Sequence, residues 1–241
     1  MSLDGLFERA RIWRGGETPS AIGAVVPTGL PDLDALLPGG GWPRGALSEV
    51  MAEEGHGALS LLMPVLARLN GEGRWFAFIA PPYLPCAYAL TAHGVDLAQV
   101  LYVSPRSDPE KLWGLEQCLK SDACAVVLGW FPQPPLRHLR RLQLAAGSGD
   151  SVACLFYPPD IGECSTPAAL RIQVTRVDDE ADPGRVTIRI VKRRGGWPCG
   201  PVTVSLRSFT ASPECPPHAG AEPADREAAR GQSHGQGSDP S

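Results

Sequence analysis

At 241 residues and a formal net charge of −4, the chain can bury one full core, and most of its charge, −3, sits in the last 31 residues. The nearly neutral remainder argues against a protein whose main task is coating DNA through phosphate contacts. There is no apolar run of about 18 residues, no basic start with an apolar stretch behind Met1, and no C-x-x-C pair among the seven cysteines; a cytoplasmic chain with reduced thiols and neither membrane span nor metal site is expected.

In residues 1–16, Leu3, Leu6, Phe7, Ala10 and Trp13 fall on one helical face and Gly15-Gly16 ends the run, which predicts a short amphipathic helix and linker. Its apolar face has two uses, packing on the chain's own core or docking on a partner. A loop leads to Thr28-Gly29, a short helix around Leu33–Leu36 and the turn Pro38-Gly39-Gly40-Gly41. Trp42-Pro43-Arg44-Gly45 then turns the chain into a strand over 46–51.

Directly after that strand the chain has the layout of a phosphate-binding loop: apolar strand, tight glycine turn, helix at once. A working loop reads G-x-x-x-x-G-K-[ST], its Lys reaching the phosphates and its hydroxyl holding Mg²⁺. In register on Gly57, this chain has Ala52 for the first Gly, Ala58 for the Lys and Leu59 for the hydroxyl residue. The frame persists, and the two side chains that do the ionic chemistry are apolar. No cofactor is expected, although the N–H groups around Gly55-His56-Gly57 could still face an anion, with Glu53 and Glu54 opposing it.

The helix after the loop is expected over Ala58–Asn70, kinked or shortened by Pro64. Strand and helix then alternate: strands at Trp75–Ile79, Val100–Val103, Ala125–Gly129 and Val152–Tyr157, helices at Pro85–His93, after Ser107, and at Leu136–Ala146. This order predicts an α/β fold with a doubly wound, mostly parallel sheet. Leu170–Val177, Arg185–Val191 and Val202–Leu206 alternate apolar and polar residues, and are expected as antiparallel strands added at the C-terminal side. The core domain is placed at 17–210; residues 211–241, rich in Pro, Gly, Ser and charge, are expected to be disordered.

Together, Thr28-Gly29, Leu33-Asp34, Gly39-Gly40-Gly41, Gly45 and Glu49 resemble the run into the ATP loop of the RecA recombinase core. Leu37-Pro38-Gly39-Gly40-Gly41-Trp42-Pro43, Leu112-Trp113-Gly114-Leu115-Glu116-Gln117, Arg140-Arg141-Leu142-Gln143-Leu144 and Lys192-Arg193-Arg194-Gly195-Gly196 look closest to ImuA, a RecA-like family of bacterial mutagenesis operons. The resemblance implies a RecA-like core, and it makes the departures informative. Ala80-Pro81-Pro82 stands where a catalytic Glu would follow the second core strand, Gly129-Trp130 where a Mg²⁺-supporting Asp would stand, and Tyr157-Pro158-Pro159 where a polar sensor would. Losing one preorganised electrostatic group typically costs about 3–4 kcal/mol of transition-state stabilisation; with four missing, no enzymatic activity is expected.

Arg171, Lys192, Arg193 and Arg194, with Arg176 and Arg189, could form a basic ridge touching DNA or a neighbouring subunit, or merely a solvated strand face. Arg137, Arg140 and Arg141 are read as a water-facing helix side. The resemblance implies an adaptor in SOS-induced translesion DNA synthesis. Its partners would be an ImuB-like inactive Y-family polymerase and an error-prone replicative-type polymerase, with RecA a further candidate and any DNA contact weak. The alternative is a division inhibitor of the SulA type, acting on the division GTPase FtsZ.

Overall fold

The computed structural model describes residues 23–132, 134–159 and 166–206. The helix expected over residues 3–13, with Leu3, Leu6, Phe7 and Trp13, and the tail from 211 lie outside them.

Two short strands, β1 (Val25–Val26) and β2 (Trp42–Pro43), pair antiparallel at the entry to the core. The remaining strands are β3 (Ala46–Met51), β4 (Trp75–Ile79), β5 (Val100–Val103), β6 (Cys124–Trp130), β7 (Val152–Tyr157), β8 (Leu170–Arg176), β9 (Arg185–Arg193) and β10 (Cys199–Ser205). They form one eight-stranded sheet in the order β10-β9-β8-β3-β7-β6-β4-β5. Every residue of β3 and β7 is buried, as apolar runs covered on both faces should be.

Side-chain alternation sorts the core into two layers. On one face Phe76, Phe78, Val126, Leu128, Phe156 and Ile172 meet Leu62, Val65, Leu66 and Leu69. On the other, Leu47, Met51, Ala77, Ile79, Val127 and Leu155 meet α4 (Asp108–Lys120) and α5 (Leu136–Ser148) through Leu112, Leu115, Leu119, Leu139 and Leu142. Each such side chain contributes about 1.5–3 kcal/mol on leaving water. α1 (Pro31–Asp34) and α3 (Ala87–Ala92) are short connectors; Gly94 (φ +79°) follows the latter.

One expectation needs correction. β8 is not antiparallel to its inner neighbour: it runs parallel to β3, and among the eight strands only β9, between β8 and β10, runs against the rest. The chain leaves β7, crosses β3 and re-enters on the far side, so β8 repeats the direction of the core strands. The helix over 58–70 is shortened in its first half, as expected from Pro64. Leu59–Leu62 is a 3₁₀ turn, and α2 is only Met63–Leu69. Pro64 carries no N–H to bond one turn back, but it fits the first turn of a helix, so the α-helix begins around it. The tighter turn aims Leu61 into the core and leaves Leu59 half-buried.

The glycine turn before β2 has a steric cause. A Cβ on Gly41 would lie 2.2 Å from the Val26 carbonyl oxygen, so only glycine lets β1 close on this segment. The next residue, Trp42, is then wholly buried. At the start of α4, Ser107 Oγ accepts from the Glu110 N–H at 3.4 Å, and Glu110 Oε2 accepts from the Arg106 N–H at 2.9 Å. We expect Ser107→Ala to cost about 1 kcal/mol, read as a lower urea midpoint with an unchanged slope.

Candidate functional site

The C-terminal ends of β3, β4, β6 and β7 open into a cavity of about 580 Å³, the position at which open α/β sheets usually bind ligands. The turn after β3 forms one wall, through Ala52, Gly57, Ala58 and Leu59; Ala80-Pro81-Pro82, Trp130 and Tyr157-Pro158 line others. The segments that depart from an ATPase in sequence are therefore gathered around one space.

Its floor is aromatic. Trp130 stacks on Phe156 with ring centroids 4.5 Å apart and lies parallel to Phe78 at 6.4 Å. Trp130 and Phe156 are register partners on β6 and β7, and Phe78 on β4 is paired with Leu128, one same-face step before Trp130. The far wall is supplied by the added strands: Val186 and Leu206 line the cavity, and a Cβ on Gly57 would lie 3.1 Å from Leu206 Cδ1. Both Gly55 and Gly57 have φ +79°, so the turn keeps the left-handed conformations of a loop. A 3₁₀ turn follows it, with no side-chain cap at Ala58, before the α-helix begins at Met63. The turn thus lacks an α-helix dipole to favour an anion.

The charges suit a nucleotide poorly. Glu53 and Glu54 are exposed on the turn, and His56 Nδ1 lies 3.0 Å from Glu53 Oε2. Lys111, the cavity's lysine, lies 3.3 Å from Asp108 and over the Phe131 ring at 5.2 Å. Ala80 has φ 53°, a left-handed conformation that costs a non-glycine residue about 1–2 kcal/mol. Its N–H donates to the Val103 carbonyl at 2.8 Å, which pins the rim in place.

The residues weighed as a basic ridge or a solvated strand face do not project together. Arg171 is 5 % exposed and its Nε lies 3.3 Å from Glu49 Oε2, itself buried in β3. Lys192 is half-buried and donates to the Thr166 carbonyl oxygen. Arg193 donates to the carbonyls of Leu36 and Trp197. Of those four residues only Arg194 is exposed, with Arg176 and Arg189 elsewhere on the strands. The reason is that β8 is covered on both faces near β3, so the polar half of its alternation is also buried. Arg141 pairs with Glu116 at 2.5 Å, tying α5 to α4.

Sequence reasoning missed what these residues do together. Thr166 Oγ1 donates to Glu49 Oε1 at 2.5 Å and the Tyr157 hydroxyl approaches it at 3.5 Å. Burial pushes the Glu49 carboxyl above its usual range, outweighing the Thr166 hydrogen bond and the nearby charges of Arg171 and Lys192. Burial, then the Glu49 charge, also raises the Tyr157 phenol, and burial lowers the Lys192 ammonium. A carboxylate in the middle of an apolar strand was the signal available in sequence.

A sheet of this order, with a glycine turn between its central strand and a helix, defines a RecA-like core. The comparisons with known proteins agree. Residues 35–152, just under half the chain, match the MT3502 N-terminal domain. The cell division inhibitor SulA of Edwardsiella piscicida is 36% identical over 118 residues, covering 47% of this chain and 70% of that protein. SulA of Serratia marcescens is 27% identical over 132 residues, 52% of this chain and 79% of its own length. Protein RecA of Thermus aquaticus is 32% identical over 123 residues, but this chain spans only 36% of it. The chain belongs to the SulA family, within the RecA superfamily. Among the described residues no helix is long and apolar enough to cross a membrane, and no group of His, Cys, Asp or Glu could hold a metal ion.

Proposed function

We propose that this chain is a RecA-fold protein without ATPase activity that acts in the DNA-damage response through protein contacts. One observation carries the reading: Ala58, Leu59, Ala80-Pro81-Pro82 and Trp130 stand around one cavity at the positions where an ATPase places Lys, a hydroxyl, Glu and Asp. The kinship with RecA and SulA supports the damage-response setting. The resemblance to ImuA gives the finer form, an adaptor in error-prone translesion synthesis. In that role it joins an ImuB-like inactive polymerase to an error-prone replicative-type polymerase.

The activity arm is tested by phosphate release from ATP, with and without single-stranded DNA. We expect none. Restoring the loop residues as Ala58→Lys with Leu59→Thr should leave turnover undetectable, because Ala80-Pro81-Pro82 and Gly129-Trp130 supply no carboxylate and Leu206 still leans on Gly57. Hydrolysis by the natural chain that a Gly57 substitution removes would overturn the reading. The partner arm is tested by co-expression with an ImuB-like inactive polymerase and an error-prone replicative-type polymerase, where co-purification is expected.

The similarity to SulA favours a second reading, cell-division inhibition. Purified chain added to FtsZ separates the two: an adaptor leaves GTP turnover unchanged, and an inhibitor lowers it as the chain is titrated in.

A further inference from the structure

We propose that the cavity at the abandoned nucleotide site is an anchor pocket for a protein partner, taking one aromatic or large aliphatic side chain from an extended segment flanked by basic residues. The inference rests on the non-catalytic, protein-contact reading above and names the site and chemistry of the contact.

The size fits first: about 580 Å³ lies in the range of sites that enclose a compact apolar group. The floor fits next. Phe156 stacks on Trp130 at 4.5 Å and Phe78 lies near-parallel to it at 6.4 Å, an arrangement that leaves the indole edge to meet a guest in the cavity. Ring edges are the positive part of an aromatic quadrupole and favour the face of an incoming ring. A nucleotide gains little here, since the turn that would cradle its phosphates carries two exposed carboxylates, Glu53 and Glu54.

The rim points to a macromolecule rather than a small metabolite. Tyr83 and Leu84 border the cavity and are 70% and 64% exposed. They stand between Pro82 and Pro85, whose fixed φ limits the ordering cost of binding. A buried anchor with an apolar collar is the usual anatomy of an interface hot spot. Charge then selects the flanks. Glu53 and Glu54 lie together on one wall, while Lys111 is engaged by Asp108 at 3.3 Å. Arg176, at the end of β8, also lines the cavity.

The test uses the purified full chain and two tripeptides, Ac-Lys-Trp-Lys-NH₂ and Ac-Glu-Trp-Glu-NH₂, followed by chemical-shift titration. The Lys-flanked probe should bind saturably and at least about fivefold more tightly than the Glu-flanked one. Excess ATP should not displace it. Ala58→Trp, which fills the cavity, should abolish binding, and Tyr83→Ala, on the exposed rim, should weaken it about three- to tenfold without altering the fold. No saturable binding, binding indifferent to Ala58→Trp, or preference for the Glu-flanked probe overturns the proposal, as does displacement by ATP. Because the probes are read on the isolated chain, failure to capture a polymerase would count against the adaptor role alone. Capture that survives both substitutions would refute the pocket and leave the adaptor role standing.

Discussion

Arg171→Met should lower stability by about 3–5 kcal/mol, because it leaves the buried Glu49 carboxylate without its nearest cation. Lys192 and Thr166 remain on the same cluster, but the lysine is committed to the Thr166 carbonyl. Replacing both partners, as Glu49→Leu with Arg171→Met, should recover most of the loss, since a buried pair is costly to break and cheap to replace by apolar packing. Urea denaturation of the single and double variants measures the difference. A single variant within about 1 kcal/mol of the natural chain would show that the pair is not held as described.

The same carboxyl predicts a pH dependence. Its folded pKa is raised above the ordinary 4.5, with burial as the leading cause. The folded chain therefore holds a proton that the unfolded chain releases. Glu49 contributes most below the ordinary value, and the contribution is lost as pH rises through the raised one. Glu49→Gln should flatten the stability profile across that window.

Gly41→Ala should cost about 2–3 kcal/mol. The added methyl meets the Val26 carbonyl oxygen at 2.2 Å, and nearby Val26 C and Pro27 N at 2.5 and 2.8 Å. All three are backbone atoms and cannot swing aside. Gly40→Ala is the control: φ is +81° there but nothing lies within 4 Å, so the expected cost is only the left-handed strain of about 1–2 kcal/mol. Thermal melts should separate the two variants, at about 2–4 °C per kcal/mol for a chain of this size. Equal shifts would show that the closure of β1 over Gly41 is not a steric requirement.

Much of the architecture was legible because local pattern and long-range structure agree. Buried strands such as Val152–Tyr157 are apolar almost throughout, and Ser107 followed by Asp108-Pro109-Glu110 spells out a capped helix start. The direction of β8 was not legible. Alternation in Leu170–Arg176 gives the period of a strand and says nothing of its neighbour. The basic ridge failed for a related reason: a polar residue at an alternate position faces water only if that face of the sheet is open. Arg171 instead meets Glu49, 122 positions earlier in the chain, and no local signal links the two.

The candidate site divides in the same way. The losses at Ala58, Leu59, Ala80 and Trp130 could be collected from motif comparison, and the structure sets them around one space. The stacked floor and the apolar rim depend on strand register, which places Trp130 opposite Phe156.

Leu206 closing over Gly57 has a consequence for how the chain is made. The turn emerges from the ribosome about 150 residues before the leucine that walls it in, and central strand β3 awaits partners more than 100 residues downstream. Such distant pairings fold slowly. The pocket is therefore among the last features to be completed during synthesis, and a nascent chain not yet extended through Leu206 has no finished surface to offer a partner.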